Sequence, residues 1–144
     1  MPEQEDKVRF LANVPLFRGL RERQLQALNK RFVSRRYGAG DEIVTQGKGG
    51  AGLFILLSGA AEAVRMRRDG SKAVVNTFGP TDFFGELALL DDEPRTASVI
   101  ATEDTVCLVL SQWEFFGALR EDSDMSIEVL QELARRFRRA LNVL

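Results

Sequence analysis

Apolar positions along this 144-residue chain change their period twice. In residues 3–31 they recur at helical spacing. Val8, Leu11 and Ala12 give a short apolar face, Pro15 interrupts it, and Leu16-Phe17 forms an apolar knot ahead of a turn at Gly19. Leu20, Leu25, Leu28 and Phe32 then continue the face, and Pro2 is tolerable only at a helix start. From Phe32 to Ser111 the period shortens. Turn residues recur at Gly38, Gly40, Gly47 to Gly52, Gly59, Asp69-Gly70 and Gly79-Pro80, with short β-prone runs between them. The continuous run Leu53–Leu57 predicts a strand buried on both faces. Val64 and Met66 before Asp69-Gly70, with Val74-Val75 after it, predict a hairpin. Val99–Ala101 and Val106–Leu110 predict a final strand pair across Thr102-Glu103-Asp104. Ser111-Gln112-Trp113-Glu114 is an S-x-x-E capping box opening a helix with Trp113, Phe116 and Leu119. After a polar break at Glu121 to Asp124, a last helix from about Ser126 carries an apolar stripe of Ile127, Leu130, Leu133, Phe137, Leu141 and Leu144. Arg135, Arg136, Arg138 and Arg139 cluster in its later turns, where cations favour the helix dipole.

Short strands with frequent glycine turns, flanked by helices, predict a mostly β fold of sandwich or jelly-roll type. The expected organisation is a single domain over 1–144: an N-terminal helical segment at 1–31, a β-roll at 32–111 and two C-terminal helices at 112–144. No internal repeat, low-complexity tract or linker interrupts it.

One stretch does not reduce to packing: Phe84–Val99, FGELALLDDEPRTASV. Gly85 lets the backbone turn tightly and approach a ligand. Glu86 to Leu90 can make one helical turn, whose first amides point outward as anion donors. Arg95 adds a charge-assisted contact suited to phosphate oxygens. Glu86 would repel a phosphate unless it accepts a hydrogen bond, and a sugar hydroxyl is the natural donor. The residues therefore describe a pocket for a small phosphorylated ligand bearing a hydroxyl. The competing reading is a buried strand-turn-strand with a surface arginine.

This stretch resembles the phosphate-binding cassette of the cyclic nucleotide-binding domain family. Phe84, Gly85, Glu86, Leu87, Ala88, Pro94, Arg95, Thr96, Ala97 and Val99 fill every position of the pattern. LxxVPLFxxLxxxxLxxL near the N-terminus resembles the family's helical segment ahead of the roll. YGAGDEIVTQG and LFILLSGAAEAV resemble the roll itself, with Gly40, Gly47 and Gly59 at turns. Gly49-Gly50-Ala51-Gly52 departs from the family, where an acidic residue and a serine or hydrophobic residue are usual.

The resemblance implies a β-roll of jelly-roll type, a double-stranded β-helix, that binds cAMP or cGMP without chemistry. It also implies residue roles. Glu86 would accept from the ribose 2′-hydroxyl and Arg95 would pair with the cyclic phosphate. Backbone amides of Gly85, Leu87, Ala88 and Ala97 would complete the phosphate shell, and Phe84 would wall the sugar. Val75 and Ala63 would lie on the ribose and purine side. Family members accepting cGMP often carry threonine after the arginine, so Thr96 leaves cGMP open; bacterial cAMP sites also carry a hydroxyl there, and threonine suits a strand. The resemblance further implies C-terminal helices that move on binding; the apolar last helix suggests a homodimer, as in bacterial relatives, and its stripe equally suits docking on the chain's own roll. A downstream effector would read the bound state, and the chain would be a regulatory fragment or a stand-alone sensor. The alternatives are an interaction module that has lost its ligand, or a truncated transcription factor lacking its helix-turn-helix.

Composition narrows the classes. Lys and Arg total 20 and Asp and Glu 21, a net charge of −1, which argues against direct DNA binding by this chain. There is no histidine, which removes histidine bases and the common triads. Asp91-Asp92-Glu93 lacks calcium-loop spacing and reads as a solvated loop, so no metal, cofactor or catalytic residue is expected. The single cysteine, Cys107, permits no internal disulfide and reads as a small core residue. No run approaches the ~18 apolar residues of a membrane span, and the charged N-terminus is unlike a signal peptide. Cytoplasmic placement is the expectation.

Overall fold

The computed structural model describes residues 4–49 and 52–141. Pro2, Gly50 and Ala51 of the glycine-rich tip, and Leu144 at the end of the predicted stripe lie outside them. The chain forms two compact units, one of residues up to Arg31 together with those from Trp113 onward, the other Phe32–Gln112.

The helical unit contains α1 (Gln4–Ala12), a 3-10 turn at Pro15–Phe17, α2 (Glu22–Asn29), α3 (Gln112–Glu121, from Trp113) and α4 (Ser123–Leu141). Pro15 opens the 3-10 turn, where its missing N–H costs nothing. The Leu16-Phe17 knot is fully buried, with the Phe17 ring 5.9 Å from that of Phe115. The Arg21 N–H donates to Gln24 Oε1 (2.9 Å) at the start of α2. Arg31 pairs with Glu114 (3.4 Å) and Glu121 (2.9 Å) on α3. The polar break ends at a cap: Met125 N–H donates to Asp122 Oδ1 (3.1 Å), so α4 starts at Ser123, three residues before the predicted start.

The face that α4 buries differs from the predicted stripe. Met125, Val129 and Glu132 are buried, while Ile127, Leu130, Phe137 and Leu141 are exposed. Glu132 can be buried because Arg135 and Arg139 reach it at 3.3 and 3.5 Å, satisfying a charge that would otherwise be expensive to desolvate.

The second unit is the β-roll. Its strands are β1 (Val33–Tyr37), β2 (Glu42–Val44), β3 (Leu53–Ser58), β4 (Ala61–Met66), β5 (Lys72–Phe78), β6 (Phe83–Phe84), β7 (Ser98–Ala101) and β8 (Thr105–Leu110). They make two antiparallel four-stranded sheets, ordered β1-β8-β3-β6 and β2-β7-β4-β5. The core lies between them. Alternate residues of β3 and β8 (Phe54, Leu56, Cys107, Val109) meet Ala61, Ala63, Val99, Ala101, Ile43 and Val44 of the other sheet. All of Leu53–Leu57 is buried, as the continuous apolar run predicts.

The strands predicted as a final pair do not pair. β7 bonds to β2 and β4, whereas β8 bonds to β1 and β3. The chain passes from one sheet to the other across Thr102-Glu103-Asp104. Thr105 marks that corner: its hydroxyl accepts from Ala60 N–H (3.2 Å) and lies 3.0 Å from Ala60 O and 2.8 Å from Glu103 O. The predicted β4–β5 hairpin is present. Arg67 and Ser71 close it by a backbone bond (2.8 Å), and Asp69 Oδ1 accepts from Ser71 N–H (2.9 Å) as an Asx turn.

Candidate functional site

The stretch 84–99 folds as a strand end, a tight turn, a single 3-10 turn, an exposed acidic loop and a returning strand. Phe84 pairs with Phe54 across β3 and β6, and their rings stack 5.0 Å apart. The Phe78 ring, at the end of β5, lies 5.1 Å from the same Phe84 ring. Three aromatics from three strands thus make a wall where the cassette begins.

Gly85 takes φ +84°, a conformation that a side chain resists. Space is equally restrictive. A Cβ there would fall 2.2 Å from Gly52 O and 2.7 Å from Arg95 Nη1. Glu86 follows and is buried. The 3-10 turn Leu87–Leu89 buries Leu89 and exposes Leu87. Ala88 N–H, assigned by resemblance to the phosphate shell, donates to Gly85 O at 3.0 Å in this structure.

Arg95 is held from both ends. Its backbone N–H donates to Lys48 O (2.8 Å) and its carbonyl accepts from Gly47 N–H (2.8 Å). Its guanidinium donates to Gly52 O through Nη2 (2.8 Å). Burial pulls this guanidinium below its ordinary pKa, and the negative charge of Asp91 opposes that pull. An arginine remains a cation under such a shift. The site therefore holds a fixed, partly desolvated positive charge against a glycine turn, with a buried carboxylate as the next residue.

The remaining predicted residues lie on the β2-β7-β4-β5 sheet and the approach to it. Ala63 is in the core between the sheets, paired with Val99, and Ala97 packs against the same core. Val75 sits at a β-bulge: Ala63 pairs with Asn76 and Val64 with Val74, leaving Val75 as the extra residue. A bulge re-aims its side chain, and Val75 is exposed. Thr96 is exposed, beside Arg95. The structure thus brings Phe84, Gly85 and Arg95 together and places Glu86 between them in sequence. Ala63, Ala97 and Val75 belong to the neighbouring sheet.

Two features escaped the sequence reading. Arg65, two residues along β4 from Ala63, donates through Nε to Thr96 O (3.2 Å); its period-two relation to Ala61 and Ala63 was the available signal. The second is a strap at Gln46–Lys48. Gln46 N–H donates to Ser98 Oγ (2.9 Å), and Gly47 and Lys48 take both backbone groups of Arg95. Backbone bonds of this kind leave no mark in residue type.

The chain is 33% identical over 126 residues to the cyclic AMP receptor protein of Thermus thermophilus, a match covering 88% of this chain and 58% of that protein. It is 38% identical over 97 residues to the cAMP-dependent protein kinase regulatory subunit of Mycosarcoma maydis, covering 67% of this chain and 18% of that one. Among solved structures, the N-terminal domain of a transcriptional regulator from Streptomyces coelicolor A3(2) superposes with a TM-score of 0.86 at 27% identity, covering 94% of this chain and 96% of that one. The chain spans little more than half the length of the Thermus protein. The family profile of the cyclic nucleotide-binding domain matches residues 34–122, which contain the whole roll and cassette from Ser34. This chain belongs to the cyclic nucleotide-binding domain family.

Proposed function

We propose that the chain is a non-enzymatic sensor of a cyclic nucleotide, cAMP or cGMP. The observation that carries this reading is the convergence of Gly85 and Arg95: a turn with no room for a side chain, closed against a fixed guanidinium. Such a place suits a ligand monoanion that approaches the backbone and needs one oriented cation. Glu86, buried beside it, accepts the ribose 2′-hydroxyl. Amides of Gly85, Leu87 and Ala97 face the phosphate, and that of Ala88 does so once its bond to Gly85 O yields. Phe84, backed by Phe54 and Phe78, walls the sugar, and Val75 and Ala63 line the purine side. Thr96 reads the base.

Binding shifts the C-terminal helices between two arrangements, and a reader in a longer chain or a partner completes the signal. The exposed residues Ile127, Leu130, Phe137 and Leu141 of α4 form a homodimer seam. No helix among the described residues is long and apolar enough to cross a membrane, and the sensor works in the cytoplasm.

Calorimetric titration of nucleotide-free protein with cAMP, cGMP and 5′-AMP tests the reading. The expected result is saturable one-site binding of a cyclic nucleotide and none of 5′-AMP. Folded protein that binds neither cyclic nucleotide would overturn it.

A further inference from the structure

The β2-β7-β4-β5 sheet has a second face, turned away from the core, and its composition is unusual for that position. In an antiparallel sheet with one packed face, the outward residues are ordinarily polar. Here Ala61, Ala63, Val99 and Ala101 point into the core, so their neighbours Val64, Met66 and Ile100 face outward. They line a cavity of about 470 Å³. That size falls in the range of small-molecule sites, roughly 300–1,000 Å³. Met66 and the adjoining Val74 are among the exposed large hydrophobic residues of the chain.

The floor is braced. The Gln46 side chain bonds the Met66 backbone in both directions, accepting from its N–H (2.7 Å) and donating to its carbonyl (3.2 Å). Gln46 N–H is fixed in turn to Ser98, which also lines the cavity. The rim is cationic. Arg67, Arg68 and Lys72 border the cavity at the hairpin end, and none of them forms an ion pair among the described residues. The acid on the opposite wall, Glu42, already accepts from the Thr45 hydroxyl.

We propose that this outer cavity is a second ligand site, for a small amphipathic organic anion. Its apolar body lies on Val64, Met66 and Ile100, and its acidic group sits among Arg67, Arg68 and Lys72. The cavity borders the cassette stretch at Ser98 and the strap at Gln46 and Gly47, but Phe84, Gly85, Glu86 and Arg95 do not line it, and the site stands whether or not the cassette binds a nucleotide.

The test uses the full chain and anilinonaphthalene sulfonate, an apolar ring system carrying one anionic group, followed by its fluorescence on binding. The expected result is saturable one-site binding. The double variant Arg67→Glu/Arg68→Glu should weaken it by roughly tenfold or more, and so should Met66→Glu. Arg95→Ala, in the cassette, should leave it within roughly twofold. All substituted outer positions are exposed, so the variants keep the fold, which thermal melting of each verifies. Absence of saturable binding overturns the proposal, as does binding that persists in the outer-face variants or disappears with Arg95→Ala.

Discussion

A methyl group placed on Gly85 would sit 2.7 Å from Arg95 Nη1 and 2.2 Å from the Gly52 carbonyl oxygen that the same guanidinium binds. Glycine and arginine therefore form one closed unit, in which the absent side chain of the first defines the position of the second. Gly85→Ala is expected to cost the ~1–2 kcal/mol of a left-handed backbone with a side chain, plus the displacement of Arg95, and to abolish nucleotide binding. Gly70→Ala is the control. Gly70 has φ +87°, yet nothing lies within 4 Å of its would-be Cβ. Thermal melting of both should show the larger loss at Gly85; equal losses would mean that the cassette yields.

Arg95→Ala should lower cyclic nucleotide affinity by about 2–5 kcal/mol, the usual effect of leaving a buried charge without its partner. Arg95→Lys should recover only part, since a lysine cannot present a planar fork to both phosphate and Gly52 O. Glu86→Ala should weaken binding less. Calorimetry on the three variants checks the order. Parent-like binding by both alanine variants would show that the ligand lies elsewhere.

Under the proposed reading, in which the Thr96 hydroxyl addresses the guanine amino group, Thr96→Ala should reduce cGMP affinity and spare cAMP. An equal loss for both nucleotides would remove Thr96 from base reading and leave it a role beside Arg95 only.

Much of this was legible in the sequence, and the boundary of legibility has a physical cause. The stretch proposed as the cassette stood out because Gly85, Glu86 and Arg95 are residue types that packing does not ask for at that spacing. The hairpin at Asp69-Gly70 was readable because its turn chemistry is local. Partner choice was not: β7 and β8 alternate in the same way whichever sheet they join, so Val99 and Val109 look like neighbours on one sheet when they meet across the core. Helix α4 misleads for a different reason. Hydrophobicity selects Leu130 and Phe137, yet the buried residues are Met125, Val129 and Glu132, the last because two arginines one turn and two turns on pair with it.

The exposed α4 residues make a prediction of their own. Ile127, Leu130, Phe137 and Leu141 recur at spacings of three, seven and four, which close to a heptad seam. Sedimentation should show a dimer, and Leu130→Glu with Phe137→Glu should convert it to a monomer. A parent that sediments as a monomer at every concentration, with and without nucleotide, would end the dimer reading.

Cys107 gives the roll a pH signature. Burial pushes its thiol up to about 11 from an ordinary 9. The unfolded chain therefore ionises first. The stabilisation is complete below about pH 9 and is lost as pH rises toward about 11. Tyr37 is raised as well, by burial first and Cys107 second, so the comparison should use Cys107→Ala. Between about pH 8 and about pH 10.5 the parent should lose more urea resistance than the variant. Parallel losses would assign the effect to other groups.

The strap at Gln46–Lys48 also limits what can be built from this fold. Arg95 takes its backbone partners from Gly47 and Lys48, and its side-chain partner from Gly52, all outside the stretch 84–99. The cassette is therefore not portable. Transplanted alone into another β-roll, it would carry the chemistry without the alignment, and a working graft needs the loop that precedes β3 to travel with it.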